Sequence, residues 1–193
     1  GKLKKTQIKD LKQEINLIEL DFETKIPFIN SYKTPRTLGV DRIALVVAAV
    51  ETYKNSNVLI IDAGTCITYD FVNTQKEYFG GAISPGIEMR FKALHKFTNG
   101  LPLLELDQLT KLTGSTTNES IQSGVTIGVI SEIDSFINKY KEKNKDLTIV
   151  LTGGDVKFLA RRLKNTIFAN PNFLLEGLNH ILTYNLSKWL KNL

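Results

Sequence analysis

The sequence predicts an α/β fold built around a mixed sheet. Three observations carry that expectation: closely spaced β-rich runs at 58–62, 66–72 and 77–83, a long amphipathic helix after Thr116, and a β–turn–helix succession from Leu147. Only a few turn residues separate the first three runs, too few for a helical crossover, so they form an antiparallel meander.

The chain opens with Gly1 rather than Met, in a polar, Lys-rich stretch to Lys12 with no strand before it, and this reads as a truncated start. Leu17 to Leu20 predicts a short strand, and Pro27 to Gly39 a loop, because Pro27, Asn30, Ser31, Pro35 and Gly39 interrupt regular structure. An apolar helix follows from about Asp41 to Tyr53, and the Asp41 carboxylate suits a cap at its free N–H groups. Ser84, Pro85 and Gly86 predict the start of a helix to about Phe97, with Pro85 at its first position. Thr116 and Glu119 form a capping-box pattern; Ile121, Val125, Val129, Ile133, Phe136 and Tyr140 then share one helical face. Ser120, Gly124 and Gly128 make a stripe of small residues on the same helix. Leu147 to Leu151 reads as a strand, Val156 to Lys164 as a helix, Thr166 to Ala169 as a short strand. The final helix carries Leu174, Leu178, Ile181, Leu182, Leu186, Trp189 and Leu190 on a broad apolar face.

Composition narrows the function classes. With 42% hydrophobic and 23% charged residues the chain is an ordinary globular protein. No apolar run reaches the roughly 18 residues of a membrane span and no signal-peptide pattern is present, so the expectation is a cytoplasmic protein with no membrane partner. The net charge of +5 is dispersed, with no basic stripe interleaved with aromatics, which argues against a nucleic-acid partner. Cys66, the single cysteine, sits in an apolar neighbourhood and reads as a reduced, buried thiol. His95 and His180 lack metal-ligand spacing to acids or to Cys66.

Several residues carry two readings each. Asp62, Ala63, Gly64 and Thr65 end an apolar strand, where backbone N–H groups and a hydroxyl can meet a ligand and an acid can hold a cation; the same residues also make an ordinary hairpin turn. Thr152, Gly153, Gly154 and Asp155 end a second strand before a helix and can bind a nucleotide's phosphate or adenosine part, or simply turn the chain. Asp41 with Arg42 offers a proton acceptor beside a guanidinium able to grip a carboxylate or phosphate, yet locally a helix cap and a surface Arg is the simpler account. Thr117 has the same two readings, a ligand contact or, with Thr116, a simple cap of the long helix, and Tyr32, in its loop, is more often packing than contact. No Walker A loop, serine-hydrolase elbow or zinc cluster occurs.

In combination these segments resemble the type III pantothenate kinases. The runs NSYKTPRTLGVDR from Asn30, DAGTCITYDF from Asp62, GGAISPGIEMRFKAL from Gly80, LP at Leu101, GSTTNESIQSG from Gly114 and LTGGD from Leu151 occur in that family's order and cover nearly all of the chain after about Ile29. The resemblance implies a two-lobed, actin-like ATPase fold of RNase-H-like lobes, with residues 1–55 the remainder of a truncated first lobe and 56–193 a complete second lobe. It implies ATP-dependent phosphorylation of pantothenate to 4′-phosphopantothenate in coenzyme A biosynthesis. Asp41 is then the general base, and Tyr32, Gly39, Val40, Arg42 and Thr117 contact pantothenate. Gly64, Thr65, Gly153 and Gly154 contact ATP, Asp62 binds a monovalent cation (potassium or ammonium), and magnesium accompanies the nucleotide. A homodimer is implied as well. Cys66 stands where the family commonly has Ala. The family's opening D-x-G-N-T-type phosphate loop has no counterpart in this sequence, so residues 1–193 alone are expected to be nearly inactive. The alternative is a non-catalytic accessory protein of the same fold; the joint presence of Asp41, Arg42, Asp62 and Thr117 favours the kinase.

Overall fold

Alternation of apolar residues along three consecutive strands gives the sheet two faces to cover, and helices pack on both. The computed structural model describes residues 5–15, 17–107 and 111–190. A helix α1 (Lys5–Glu14) precedes a two-residue strand β1 (Ile29–Asn30) and the helix α2 (Val40–Thr52). The meander consists of β2 (Asn57–Ala63), β3 (Cys66–Val72) and β4 (Glu77–Pro85). It is followed by α3 (Ile87–Lys96), α4 (Thr117–Lys143), β5 (Leu147–Thr152), α5 (Val156–Leu159), β6 (Phe168–Ala169) and α6 (Phe173–Leu190).

The six strands form one sheet in the order β1-β4-β3-β2-β5-β6. β2, β3 and β4 are antiparallel, while β5 lies parallel to β2, β6 parallel to β5 and β1 parallel to β4. An antiparallel meander continued past β2 by the parallel strands β5 and β6 is the RNase-H-like arrangement that the resemblance implies, and the described residues hold one such sheet.

Side-chain alternation divides the core. Val58 and Ile60 on β2, Val72 on β3 and Val150 on β5 pack with Ile43–Val50 of α2 and with Phe173 and Ile181 of α6. Leu59, Ile61, Ile67, Tyr69, Ile149 and Leu151 point the other way, onto Phe91 of α3 and Ile121, Val125, Val129 and Ile133 of α4. Every residue of α2 from Arg42 to Val50 is buried, as an almost wholly apolar helix requires. Each fully buried Ile, Leu or Val among them contributes about 1.5–3 kcal/mol.

Several expectations need correction. Residues 17–20 form no strand; the edge strand is Ile29–Asn30, inside the segment read as loop, where pairing with Glu77 and Tyr78 overrides poor local propensity. The Lys-rich start, for which no element was expected, holds helix α1. Pro85 ends β4 instead of opening α3, whose N-cap is Gly86. Helix α5 is a single turn that stops at Leu159, not at Lys164. Thr116 does cap α4, accepting from the Glu119 N–H at 3.2 Å, but the Glu119 carboxylate turns to the backbone and hydroxyl of Ser115. On α6 the apolar face is only partly covered: Phe173 and Ile181 are buried, while Leu178, Leu182 and Leu186 are exposed. The side chains of Trp189 and Leu190 lie outside the described residues. Cys66 is half-buried and unpaired by any disulfide.

Candidate active site

Asp62 and Thr152 are register partners at the carboxyl ends of the parallel strands β2 and β5. Each strand runs into a Gly-containing loop, Gly64–Thr65 on one side and Gly153–Gly154 on the other. Gly153 has φ of 97°, which a side chain resists, and an added Cβ would overlap the Ala63 carbonyl and the Asp62 carboxylate. The Asp155 N–H donates to the Ala63 carbonyl at 3.0 Å, tying the second loop to the first. Beside the second loop opens a cleft of about 470 Å³ whose lining includes Asp62, Thr152, Gly153, Gly154, Lys157 and Leu174, but neither Gly64 nor Thr65. Thr65 is exposed at the turn, and its carbonyl accepts from the Gly86 N–H at 3.1 Å. With α5 a single turn, anion binding at the second loop would rest on its backbone N–H groups and not on a helix dipole.

Three carboxylates gather at this end of the sheet, each in different surroundings. Asp62 is half-buried, and its pKa is pushed up to about 6, first by burial and then by the charges of Asp41 and Asp70. Asp41 is exposed in the first turn of α2, where its Oδ1 accepts from the Arg42 N–H at 2.8 Å. Gly39 rather than Asp41 is the N-cap, so Asp41 is not the helix cap that local sequence favours. Asp70 is fully buried and neutralised by Arg42, whose Nε and Nη2 donate to the same Oδ1 at 2.9 and 2.7 Å. The Tyr78 hydroxyl donates to that oxygen too, at 2.7 Å. Burial works against the Arg42 charge, but the hydrogen bonds and charge of Asp70 outweigh it and hold the guanidinium above its ordinary pKa.

Arg42 is therefore a buried residue and not the surface Arg of the simpler local account. Its guanidinium lies 5.7 Å from the centroid of the Tyr32 ring, which stacks on Tyr78 at 6.2 Å. The Tyr32 ring in turn rests on Gly80, φ 114°, where a Cβ would come within 2.9 Å of it. Tyr32, Gly39, Val40, Asp41 and Arg42 are thus gathered at the start of α2. Thr117 opens α4. It lines a second, open cleft of about 680 Å³ with Leu94, Leu101, Ser115, Thr116 and Gly124, and none of that lining is shared with the Asp62 cleft.

Asp70 and Tyr78 did not stand out in the sequence as site residues. A signal was present: in the β2–β3 register Asp62 faces Thr68, so period-two alternation puts Asp70 on the same face one pair further in. Thr68 Oγ1 and Asp70 Oδ2 are both buried without a hydrogen-bond partner. The unsatisfied hydroxyl of Thr68, register partner of the half-buried Asp62 carboxylate, suits a hard, oxygen-loving cation. Among the described residues there is no cluster of three His, Cys, Asp or Glu side chains at metal-binding distance, so such an ion would draw on hydroxyl or carbonyl oxygens besides Asp62.

A separate network occupies the other face. Glu132 of α4 accepts from Tyr69 Oη at 3.0 Å, Ser84 Oγ at 2.5 Å and Arg90 Nη2 at 2.6 Å, joining β3, β4, α3 and α4.

The chain is similar to known proteins over most of its length. The profile of the family described as type III pantothenate kinase matches residues 2–139. The type III pantothenate kinase of Christiangramia forsetii is 57% identical over 175 residues, covering 91% of this chain and 72% of that protein. Its counterpart in Flavobacterium psychrophilum is 49% identical over 184 residues, covering 95% and 76%. Among solved structures, a Baf family transcriptional activator from Campylobacter jejuni superimposes with a TM-score of 0.65 at 24% identity, covering 96% of this chain and 81% of that one; at that identity the likeness concerns the fold alone. Sequence similarity over nine-tenths of the chain and the α/β sheet with its paired strand-end loops point the same way: the chain belongs to the type III pantothenate kinase family.

Proposed function

We propose that Asp41 and Asp62 divide the work of one phosphoryl-transfer site, in a protein whose family membership makes it a kinase that uses ATP to phosphorylate pantothenate. The observation that carries the reading is the contrast among neighbouring carboxylates. Asp41 is exposed and free to reach a substrate hydroxyl, Asp62 is half-buried at the mouth of the two Gly loops, and Asp70 is spent on Arg42.

In this reading Asp41 accepts the proton of the pantothenate hydroxyl as that oxygen attacks the γ-phosphorus of ATP; ADP leaves with the bridging oxygen. Arg42, steered by Tyr32 and Asp70, grips the pantothenate carboxylate, while Gly39 and Val40 border it. Gly64, Thr65, Gly153 and Gly154 offer backbone N–H groups and a hydroxyl to the nucleotide. Asp62, with Thr68 beside it, would hold the monovalent cation; that ion, like the magnesium that travels with ATP, supplies positive charge against the phosphates.

Thr117 joins pantothenate recognition only if its cleft and the Asp62 cleft serve one ligand. A homodimer is a natural way to combine two such clefts, and the exposed stripe of Ser120, Gly124 and Gly128 supports it: nothing lies within 4 Å of a Cβ added at either glycine, so another backbone can approach. The division into 1–55 and 56–193 belongs here too. The turn near Ser56 supports a boundary there, while α2, before it, shares a core with β2 and α6, after it. A cytoplasmic location accords with the finding that no described helix is long and apolar enough to cross a membrane.

The test is Asp41→Asn in the full-length enzyme. Turnover with pantothenate should fall by roughly 10²–10⁴ while ATP affinity changes little, because a base acts only in the transition state. Full turnover would remove Asp41 from the chemistry.

A further inference from the structure

We propose that Asp70 is a positioning residue for substrate recognition: by occupying the Nε–Nη2 edge of Arg42 it turns the opposite, Nη1-bearing edge toward the pantothenate carboxylate. This rests on the reading of Arg42 as the carboxylate grip. A guanidinium carries five N–H donors in a rigid plane. Asp70 uses the Nε–H and one Nη2–H, which leaves three donors; of these the other Nη2–H and one Nη1–H run parallel, the pair that a second carboxylate accepts in fork geometry.

The form of the Arg42–Asp70 contact argues for a positioning role beyond stability. A buried pair optimised for stability alone would set its two N–H donors against two carboxylate oxygens. Here Oδ1 takes all three donors, two from Arg42 and one from Tyr78, while Oδ2 is buried with none. A buried, unsatisfied carboxylate oxygen is costly, so the arrangement trades stability for a particular placement of the guanidinium. Asp70 has no exposure and sits on a central strand; Arg42 sits in the first turn of α2 under the Tyr32 ring. With one edge fixed to the sheet and one face covered by an aromatic ring, the remaining edge has a single direction to present.

The experiment compares pantothenate with panthenol, in which a primary alcohol replaces the carboxylate and the phosphorylated end is unchanged. In the full-length enzyme, KM (or the inhibition constant, for panthenol) and kcat are measured for the parent, Asp70→Asn, Tyr78→Phe and Arg42→Met, with KM for ATP and the melting temperature alongside. Asp70→Asn should raise KM for pantothenate by roughly 10-fold or more and leave the panthenol constant and KM for ATP within about 3-fold, so that discrimination for the carboxylate collapses. Tyr78→Phe, which removes one of three hydrogen bonds and keeps the ring, should move discrimination the same way by less; it carries the test if Asp70→Asn does not fold. Loss of affinity for both substrates in parallel, or unchanged discrimination, overturns the proposal. If Arg42→Met abolishes discrimination and neither Asp70→Asn nor Tyr78→Phe alters it, the positioning role falls and the Arg42 reading stands. If Arg42→Met discriminates as the parent does, the Arg42 reading falls and this proposal with it.

Discussion

Gly153 lies so close to Asp62 that a single methyl group on Gly153 would overlap the Asp62 carboxylate and the Ala63 carbonyl. Its φ of 97° adds a backbone penalty for any other residue. Gly153→Ala is therefore expected to cost about 2 kcal/mol or more and to weaken ATP binding, because the second loop must withdraw from β2. Gly154, one residue on, faces open space, and Gly154→Ala should change stability by less than about 0.5 kcal/mol. Urea denaturation and ATP titration of both variants check the contrast; equal effects would contradict it.

Asp62 gives the protein a pH signature. Its carboxyl titrates near 6 when folded, against an ordinary value of 3.8, so between those values the folded state holds a proton that the unfolded state has released. The stability this contributes is complete below about pH 4 and is lost as pH rises through about 6. Asp62→Asn, which cannot ionise, should then exceed the parent in stability at pH 8 by on the order of 1–3 kcal/mol in potassium-free buffer, with the gap closing toward pH 4. Thermal denaturation across that range measures it, and a gap independent of pH would contradict the account.

The Glu132 network predicts a purely structural effect on the other face. Its carboxylate serves two hydroxyls and a guanidinium, and burial, which opposes ionisation, is outweighed by these partners, which hold its pKa below the usual carboxylate range. Glu132→Ala takes the acceptor from the Tyr69 and Ser84 hydroxyls and leaves Arg90 only Pro85 and Ser84, and a loss of about 1–3 kcal/mol is expected. A melting temperature equal to the parent's would show the network to be idle.

The meander and the long helix were legible in the sequence because local signals and tertiary structure agree there. Period-two alternation in 58–72, short turns, and the Thr116 cap each point to the structure that forms. Four features were not. The edge strand at Ile29–Asn30 exists through its pairing with β4, a contact 48 residues distant in sequence that no local pattern encodes. Pro85 has a helix-opening context, but it ends an edge-side strand where its missing N–H does no harm. In the site, Asp41 and Asp62 are visible at an apolar helix start and a strand end, whereas the burial of Arg42 is not, since Arg reads as surface until its partner Asp70 is known. The distance between Thr117's cleft and Asp62's is likewise a product of packing that the order of motifs along the chain does not record.

The division of labour between Asp41 and Asp62 is tested most directly by one potassium titration of turnover, run side by side on the full-length parent, Asp41→Asn and Asp62→Asn at saturating pantothenate. The account predicts that Asp41→Asn lowers the plateau by roughly 10²–10⁴ without shifting the potassium concentration at half-activation, and that Asp62→Asn flattens the potassium response. An Asp62→Asn enzyme that responds to potassium as the parent does, or an Asp41→Asn enzyme with an undiminished plateau, would contradict it.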